Sequence, residues 1–271
     1  MTTTPQRQAE QLTARIKALP DTDKPTLVYF GVIGICWPIG CLLHQEGVDY
    51  ERIDIPLDAW TYKTPQGRLP LKESFRNGHL PLYVDREVQL GQSNVILSYL
   101  GEKHGLMGDS PAEKLATMEV MAHAYDALFH WNGLFQVNTK LGVSEAVFEA
   151  RLQAFLGHGS WGVVGNGYGR NLEAFERYLT ANSARAGGFM VGSRLSVADL
   201  YAFNVLCNWY KAFDPSRFVA HHPRLDAYIR RIAAIPGVRQ YIDQHQKPTT
   251  WFSLPGIALK LTEPEDLLGL V

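Results

Sequence analysis

The sequence predicts an α/β domain followed by an all-α domain, and three observations support that division. Thr26 to Phe30 and Tyr50 to Ile55 read as strands, and Trp37 to Glu46 between them reads as a helix with Pro38 in its first turn. The stretch from Gly78 to Gly105 reads as a hairpin running into a further helix. After Gly108 the pattern becomes helical. Strand–helix–strand followed by hairpin and helix is the order of a thioredoxin-like sheet. The expected architecture is therefore an N-terminal thioredoxin-like βαβ-ββα domain and an all-helical C-terminal domain.

Taken in order, residues 1–24 are an extension, polar with short apolar pairs and unlike a signal peptide. A helix around Gln8 to Leu19 and a disordered arm are both open readings, and Pro20 and Pro25 break any continuation. The first domain is expected over 25–108. Within it, Asp58 to Asn77 reads as a loop, since it holds Pro65, Gly67 and Pro70. Leu80-Pro81 then heads a strand from Leu82 to Val84, Asp85-Arg86-Glu87 is turn-compatible, and Val88 to Leu90 returns. Gln92-Ser93 opens a helix in which Ile96, Leu97 and Leu100 recur at helical spacing until Gly105.

A proline that opens a strand has no N–H, so the backbone before it is free to pair outside the sheet. The free N–H groups that start the next helix, beside a serine hydroxyl, favour a carboxylate. Peptide-like pairing on one side and an anion on the other suit a small acidic peptide.

The second domain is expected over 109–246. Ser110-Pro111-Ala112-Glu113 combines an N-cap, a proline at the first helical position and a capping-box acid, and a long helix toward Asn138 should follow. Ser144 can cap a helix reaching Leu156, a glycine-rich segment runs from Gly157 to Gly169, and Asn171 to Asn182 is helical. Leu195 to Leu200 is a second helix start. Ser196 can bond the Asp199 N–H, Asp199 can reach back, and Leu195 can staple against Leu200. Such a cap is worth about 1 kcal/mol and serves folding rather than chemistry. Pro223 to Ala234 and Gly237 to Gln244 are further helices. The tail over 247–271 keeps Trp251, Phe252, Leu254, Ile257 and Leu259, and is expected to fold back on the body.

Composition narrows the function classes. A chain of 271 residues buries a sizeable core whether it forms one domain or two. A net charge of -1 and a pI near 6.8 give no bulk attraction to nucleic acid or to an anionic membrane. There is no apolar run long enough to span a bilayer, and three cysteines favour a reducing, cytoplasmic setting.

Several motifs read more simply than they first suggest. Cys36 and Cys41 are spaced CxxxxC among apolar neighbours, which suits small core residues better than a redox pair. Gly157 to Gly162 matches GxGxxG but follows no strand of a βαβ unit, so a loop is expected rather than a dinucleotide site. His221-His222 has no Cys or carboxylate at ligand spacing, and no metal is expected. Trp131, Phe135, Trp209, Tyr210 and Phe213 suit a helix-bundle core, some of them lining a pocket.

Leu80-Pro81 followed by Leu90-Gly91-Gln92-Ser93-Asn94-Val95-Ile96-Leu97-Ser98-Tyr99-Leu100 resembles the glutathione-binding half of the cytosolic glutathione transferases. The resemblance extends upstream to Leu27-Val28-Tyr29-Phe30 and downstream to Ser196-Val197-Ala198-Asp199, and covers most of residues 25 to 245. It is nearer the tyrosine-type classes (pi, sigma, mu, alpha) than the serine or cysteine types. It implies a homodimer that takes glutathione as co-substrate, with a cis-proline at Pro81 and a small hydrophobic electrophile as second substrate. It further implies that Tyr29 is catalytic and that Trp60, with Lys63 or Lys72, holds the glycyl carboxylate. Leu80 would pair its backbone with the cysteinyl portion, and His79 stands where Gln or Asn is common. Gln92 and Ser93 would take the γ-glutamyl end, and Asp126 would correspond to an acid contributed from the neighbouring subunit.

From pattern alone Tyr29 is an ordinary strand aromatic, and the resemblance gives it its role. Glutathione's thiol titrates near the ordinary cysteine value, so little thiolate is present at neutral pH. A phenol donating to the thiolate contributes about 1.5–3 kcal/mol, or roughly one to two pKa units. The sequence departs from the pi-like pattern just after this tyrosine. Ile33-Gly34-Ile35 stands in place of Arg-Gly-Arg, and Gly40 stands where an arginine is common. The expectation is therefore a glutathione transferase. The alternatives are a glutathione-dependent isomerase or peroxidase, or a non-catalytic binding protein on the same fold.

Overall fold

The computed structural model describes residues 4–19, 23–31, 34–141, 168–184, 187–212 and 220–245. The expected helix from Ser144, the GxGxxG string, Ile33 and the tail over 247–271 lie outside them. The chain divides into two compact units, Met1–Leu100 and Gly101–Val271.

The first unit is built on a four-stranded sheet in the order β2-β1-β3-β4. Strand β1 (Thr26–Phe30) is parallel to β2 (Glu51–Ile55) and antiparallel to β3 (Leu82–Val84), which is antiparallel to β4 (Gln89–Gly91). A short 3-10 turn (Gly34–Cys36) and helix α2 (Trp37–Gln45) make the crossover that two parallel strands require. Asp85 shapes the β3–β4 hairpin by accepting the N–H groups of Glu87 and Val88, at 2.9 and 3.0 Å. Tyr99, on helix α4 (Ser93–Lys103), donates to the same carboxylate at 2.8 Å. This is the expected thioredoxin-like arrangement.

Alternation along the strands sorts side chains to two faces. Val28, Ile53, Ile55, Leu82 and Val84 enter one core cluster, against which Phe30 packs. Leu27 and Tyr29 point the other way, with Arg52 and Asp54 beside them in register on β2.

One local expectation is corrected and one open reading is resolved. The segment read as a loop over 58–77 contains helix α3 (Leu57–Thr61) and a 3-10 turn (Lys72–Ser74). Five residues between Pro56 and the next turn are too short for a periodic signal, and burial of Ala59 and Trp60 holds the turn together. The open question over the extension is also resolved: it is helix α1 (Thr4–Ala18), followed by the buried Leu19. Its Ala9, Leu12, Ile16 and Leu19 form a stripe at spacings of three and four, and join the cluster under α3.

The second unit is helical where described: α5 (Pro111–Leu141), α6 (Tyr168–Ala181), α7 (Val197–Ala212), α8 (Pro223–Ala233) and α9 (Pro236–His245). Helix α7 is central and packs against α5 and α8. Trp209, on α7, is buried beside Phe175 of α6, with ring centroids 6.4 Å apart. The other expected cluster members lie outside the described side chains.

Both predicted caps form with altered bonding. Glu113 accepts the N–H of Asp109, one residue before the capping Ser110, whose Oγ accepts the Glu113 N–H at 3.2 Å. At α7 the Ser196 hydroxyl donates to the Asp199 carboxylate at 2.7 Å instead of accepting its N–H. The same carboxylate accepts the Ser196 N–H at 2.9 Å, the Met190 N–H at 2.8 Å and the Tyr228 hydroxyl at 3.2 Å.

Candidate active site at one end of the sheet

Strand register brings Tyr29, Pro81 and Gln92, three of the predicted site residues, to a single end of the sheet. Val28 pairs with Leu82, and Leu82 pairs with Gly91. One step further along each strand, Tyr29 on β1, Pro81 before β3 and Gln92 after β4 therefore lie side by side. Neighbouring strands are about 4.8 Å apart, so Tyr29 and Gln92 are separated by roughly 10 Å, the reach of an extended tripeptide. On the other flank, β2 ends at Ile55 and leads through Pro56 to Trp60.

Tyr29 is only 8% exposed. Its hydroxyl lies directly beneath Gly34, where an added Cβ would fall 2.3 Å from the phenolic oxygen. Gly34 also has φ +49, which a glycine adopts without cost, so two independent constraints select it here. Burial pushes the phenol well above its ordinary range, and the neighbouring Cys36 pushes the same way. The Ile35 backbone N–H, donating to the phenolic oxygen, and the Arg52 guanidinium pull it back. The group is thus a protonated phenol at any working pH, a donor and not a base.

Arg52 is the functional candidate that sequence reading missed. Its Nε donates to Asp54 at 2.8 Å and its terminal NH2 donates to the Phe30 carbonyl at 3.0 Å. It places a guanidinium near the tyrosine where Ile35 offers none. Alternation of Arg52 and Asp54 on the face shared with Tyr29 was the available signal. Cys36 is fully buried, and burial pushes its thiol up to about 12. Cys36, Cys41 and Cys207 are all buried, and none is in a disulfide.

The Leu80–Pro81 peptide is cis. Gln92 adopts φ 72, a left-handed conformation that costs a non-glycine residue of order 1–3 kcal/mol and points to a functional constraint. Gln92 is exposed, and Ser93 behind it is buried at the first turn of α4. Trp60 is wedged edge-on between Phe30 and Phe75, at 5.6 and 5.5 Å, and the Lys72 ammonium stands 5.2 Å above its ring. The structure therefore joins Lys72 to Trp60. Lys63 is exposed in the loop after α3. His79 is exposed, with its ring against the Asn77 carbonyl. Asp126 is exposed on α5, in the second unit.

Among the described residues, no group of three or more His, Cys, Asp or Glu side chains is placed to hold a metal ion. No described helix is long and apolar enough to cross a membrane.

Comparison with known proteins finds relatives over most of the chain. The family described as "Glutathione S-transferase, C-terminal domain" matches residues 164–245. Glutathione S-transferase P 1 of Xenopus laevis is 28% identical over 228 residues, covering 83% of this chain and 95% of the relative. Glutathione S-transferase P of Homo sapiens is 28% identical over 219 residues, covering 80% and 90%. Among solved structures, the glutathione S-transferase from Ascaris lumbricoides superposes with a TM-score of 0.66 at 25% identity, covering 83% of this chain and 98% of that one.

Proposed function

Because the chain belongs to the cytosolic glutathione transferase superfamily, we propose that it binds glutathione as co-substrate and activates its thiol for attack on a hydrophobic electrophile. The observation that carries this reading is the buried phenol of Tyr29, kept protonated at the end of β1 beside the cis-proline. The order of strands around the site supports an orientation for the tripeptide. Its γ-glutamyl end lies at Gln92 and Ser93, its cysteine at the Leu80 backbone and Tyr29, and its glycine at Trp60 and Lys72.

In this reading the thiol loses its proton to solvent, and the Tyr29 O–H donates to the resulting thiolate. That sulfur's electron pair forms a bond to carbon of the electrophile. A halide leaves with its bonding pair, or an opened epoxide or enone takes a proton from water. Arg52 adds positive charge near the phenol, a partial replacement for the arginines absent at Ile33 and Ile35. In a homodimer, Asp126 would be supplied to the γ-glutamyl amine held by a neighbouring copy. Three cysteines outside any disulfide suit a reducing, cytoplasmic setting.

The test is retention on immobilised glutathione together with conjugation of a model aryl halide by wild type and Tyr29→Phe. Binding by both, with conjugation strongly reduced in the variant, supports the assignment. Equal rates in the two proteins would sink the mechanism, and absence of binding would sink the family-level function for this chain.

A further inference from the structure

Helix α1 plays no part in the proposed chemistry, yet it lies against the segment that would receive one end of the tripeptide. Ala9, Ile16 and Leu19 are buried in one cluster with Ala59 and Trp60 of α3 and with Leu71 and Phe75, which bracket the second 3-10 turn. Leu12 packs on the same cluster, and α1 touches both α3 and that turn directly. Residues 57–75 belong to no strand, so the sheet ladder does not fix them. The backbone bonds described within the segment are local, as in Gly67 N–H to Thr64 C=O and Glu73 N–H to Leu69 C=O. Packing must set its position. A further tie joins Arg15 of α1 to Glu51 at the head of β2, at 2.6 Å.

We propose that α1 is a positioning element for glutathione's glycyl end. By filling the underside of residues 57–75, it holds Trp60 and Lys72 in the arrangement that receives a carboxylate. This rests on the reading that Trp60 and Lys72 bind that carboxylate. A segment ordered before binding spares the ligand the entropy of ordering it, so loosening the support weakens affinity. The effect is expected at the glycyl end of the ligand. Leu80, Leu82 and Val84 also touch this cluster, but no residue of β4 or α4, which would hold the γ-glutamyl part, belongs to it.

The experiment compares full-length wild type, Ile16→Ala and Ile16→Asp for turnover of glutathione and of γ-glutamylcysteine, which lacks the glycine. The expected result is a KM for glutathione raised roughly three- to tenfold, with kcat within about twofold and the KM for γ-glutamylcysteine unchanged. In a Lys72→Met background, Ile16→Ala should add nothing further, because both changes remove the same interaction. Equal losses for both ligands, a fall in kcat alone, or full additivity with Lys72→Met overturns the proposal. Should Ile16→Asp fail to fold, Ile16→Ala and hydrogen exchange over residues 57–75 decide. Faster exchange there is expected, and unchanged exchange overturns it. A wild type that binds glutathione while Ile16→Ala alters nothing defeats this inference alone. A wild type that binds neither ligand defeats the functional reading and this inference together.

Discussion

Tyr29 and Asp199 are both buried ionisable groups whose protonated forms are favoured by desolvation, yet they are solved in opposite ways. Asp199 is surrounded by donors: two backbone N–H groups, the Ser196 hydroxyl and the Tyr228 hydroxyl all converge on it. Tyr29 accepts one backbone N–H from Ile35 and sits beneath a glycine that leaves room for nothing larger. The first group is saturated and locks two helices and a loop together. The second lies at the end of an inner strand, and in the proposed function its phenolic proton is given to the ligand. Burial alone does not mark a catalytic group. What distinguishes the two is whether the fold has already committed the polar atom's bonds.

The largest effect that would sharpen this contrast is Asp199→Ala. It strands four buried donors and should lower unfolding free energy by about 3–4 kcal/mol, measured by urea denaturation. Gly34→Ala comes next, at about 2–3 kcal/mol, from a left-handed backbone plus a methyl group pressed on the Tyr29 hydroxyl. A Gly34→Ala protein as stable as wild type would break the description of that pocket. Tyr29→Phe should change stability by less than about 1 kcal/mol and lower kcat/KM for conjugation roughly 10- to 100-fold, with the apparent thiol pKa rising one to two units. Lys72→Met should raise the KM for glutathione roughly fivefold or more with kcat preserved, from steady-state kinetics.

The remaining prediction is a slope with pH. Burial pushes the Asp199 carboxyl up to about 6 from its ordinary 3.8, so the folded chain keeps a proton that the unfolded chain has released. Its contribution is intact below about pH 4 and is lost as pH rises through about 6. Urea midpoints across this window should fall in wild type relative to Asp199→Asn, and parallel curves would contradict the shift.

The sequence was most legible where the determining contacts are short in range. Ser196 and Asp199 stand three apart, Gln92 and Ser93 are adjacent, and Leu80-Pro81 heads its strand, so each could be read from a few consecutive residues. Helix α3 could not be read in this way, because it is one turn and a half held by Trp60 docking on distant Phe30 and Phe75. The apolar stripe of α1 was present as Ala9, Leu12, Ile16 and Leu19, but the surface it covers is assembled from Ala59, Trp60, Leu71 and Phe75, far along the chain. Arg52 was hidden for a similar reason: its nearness to Tyr29 exists only once β1 and β2 are paired in register. Within the candidate site, the choice between Lys63 and Lys72 depended on a loop whose course the sequence does not dictate.

The three cysteines offer a built-in clock. With every thiol enclosed, an alkylating reagent can react only when the surrounding structure momentarily parts. Cys36 and Cys41 belong to the first unit and Cys207 to the second. The order in which mass spectrometry finds them alkylated would therefore time the breathing of each half of the chain separately, without any engineered probe.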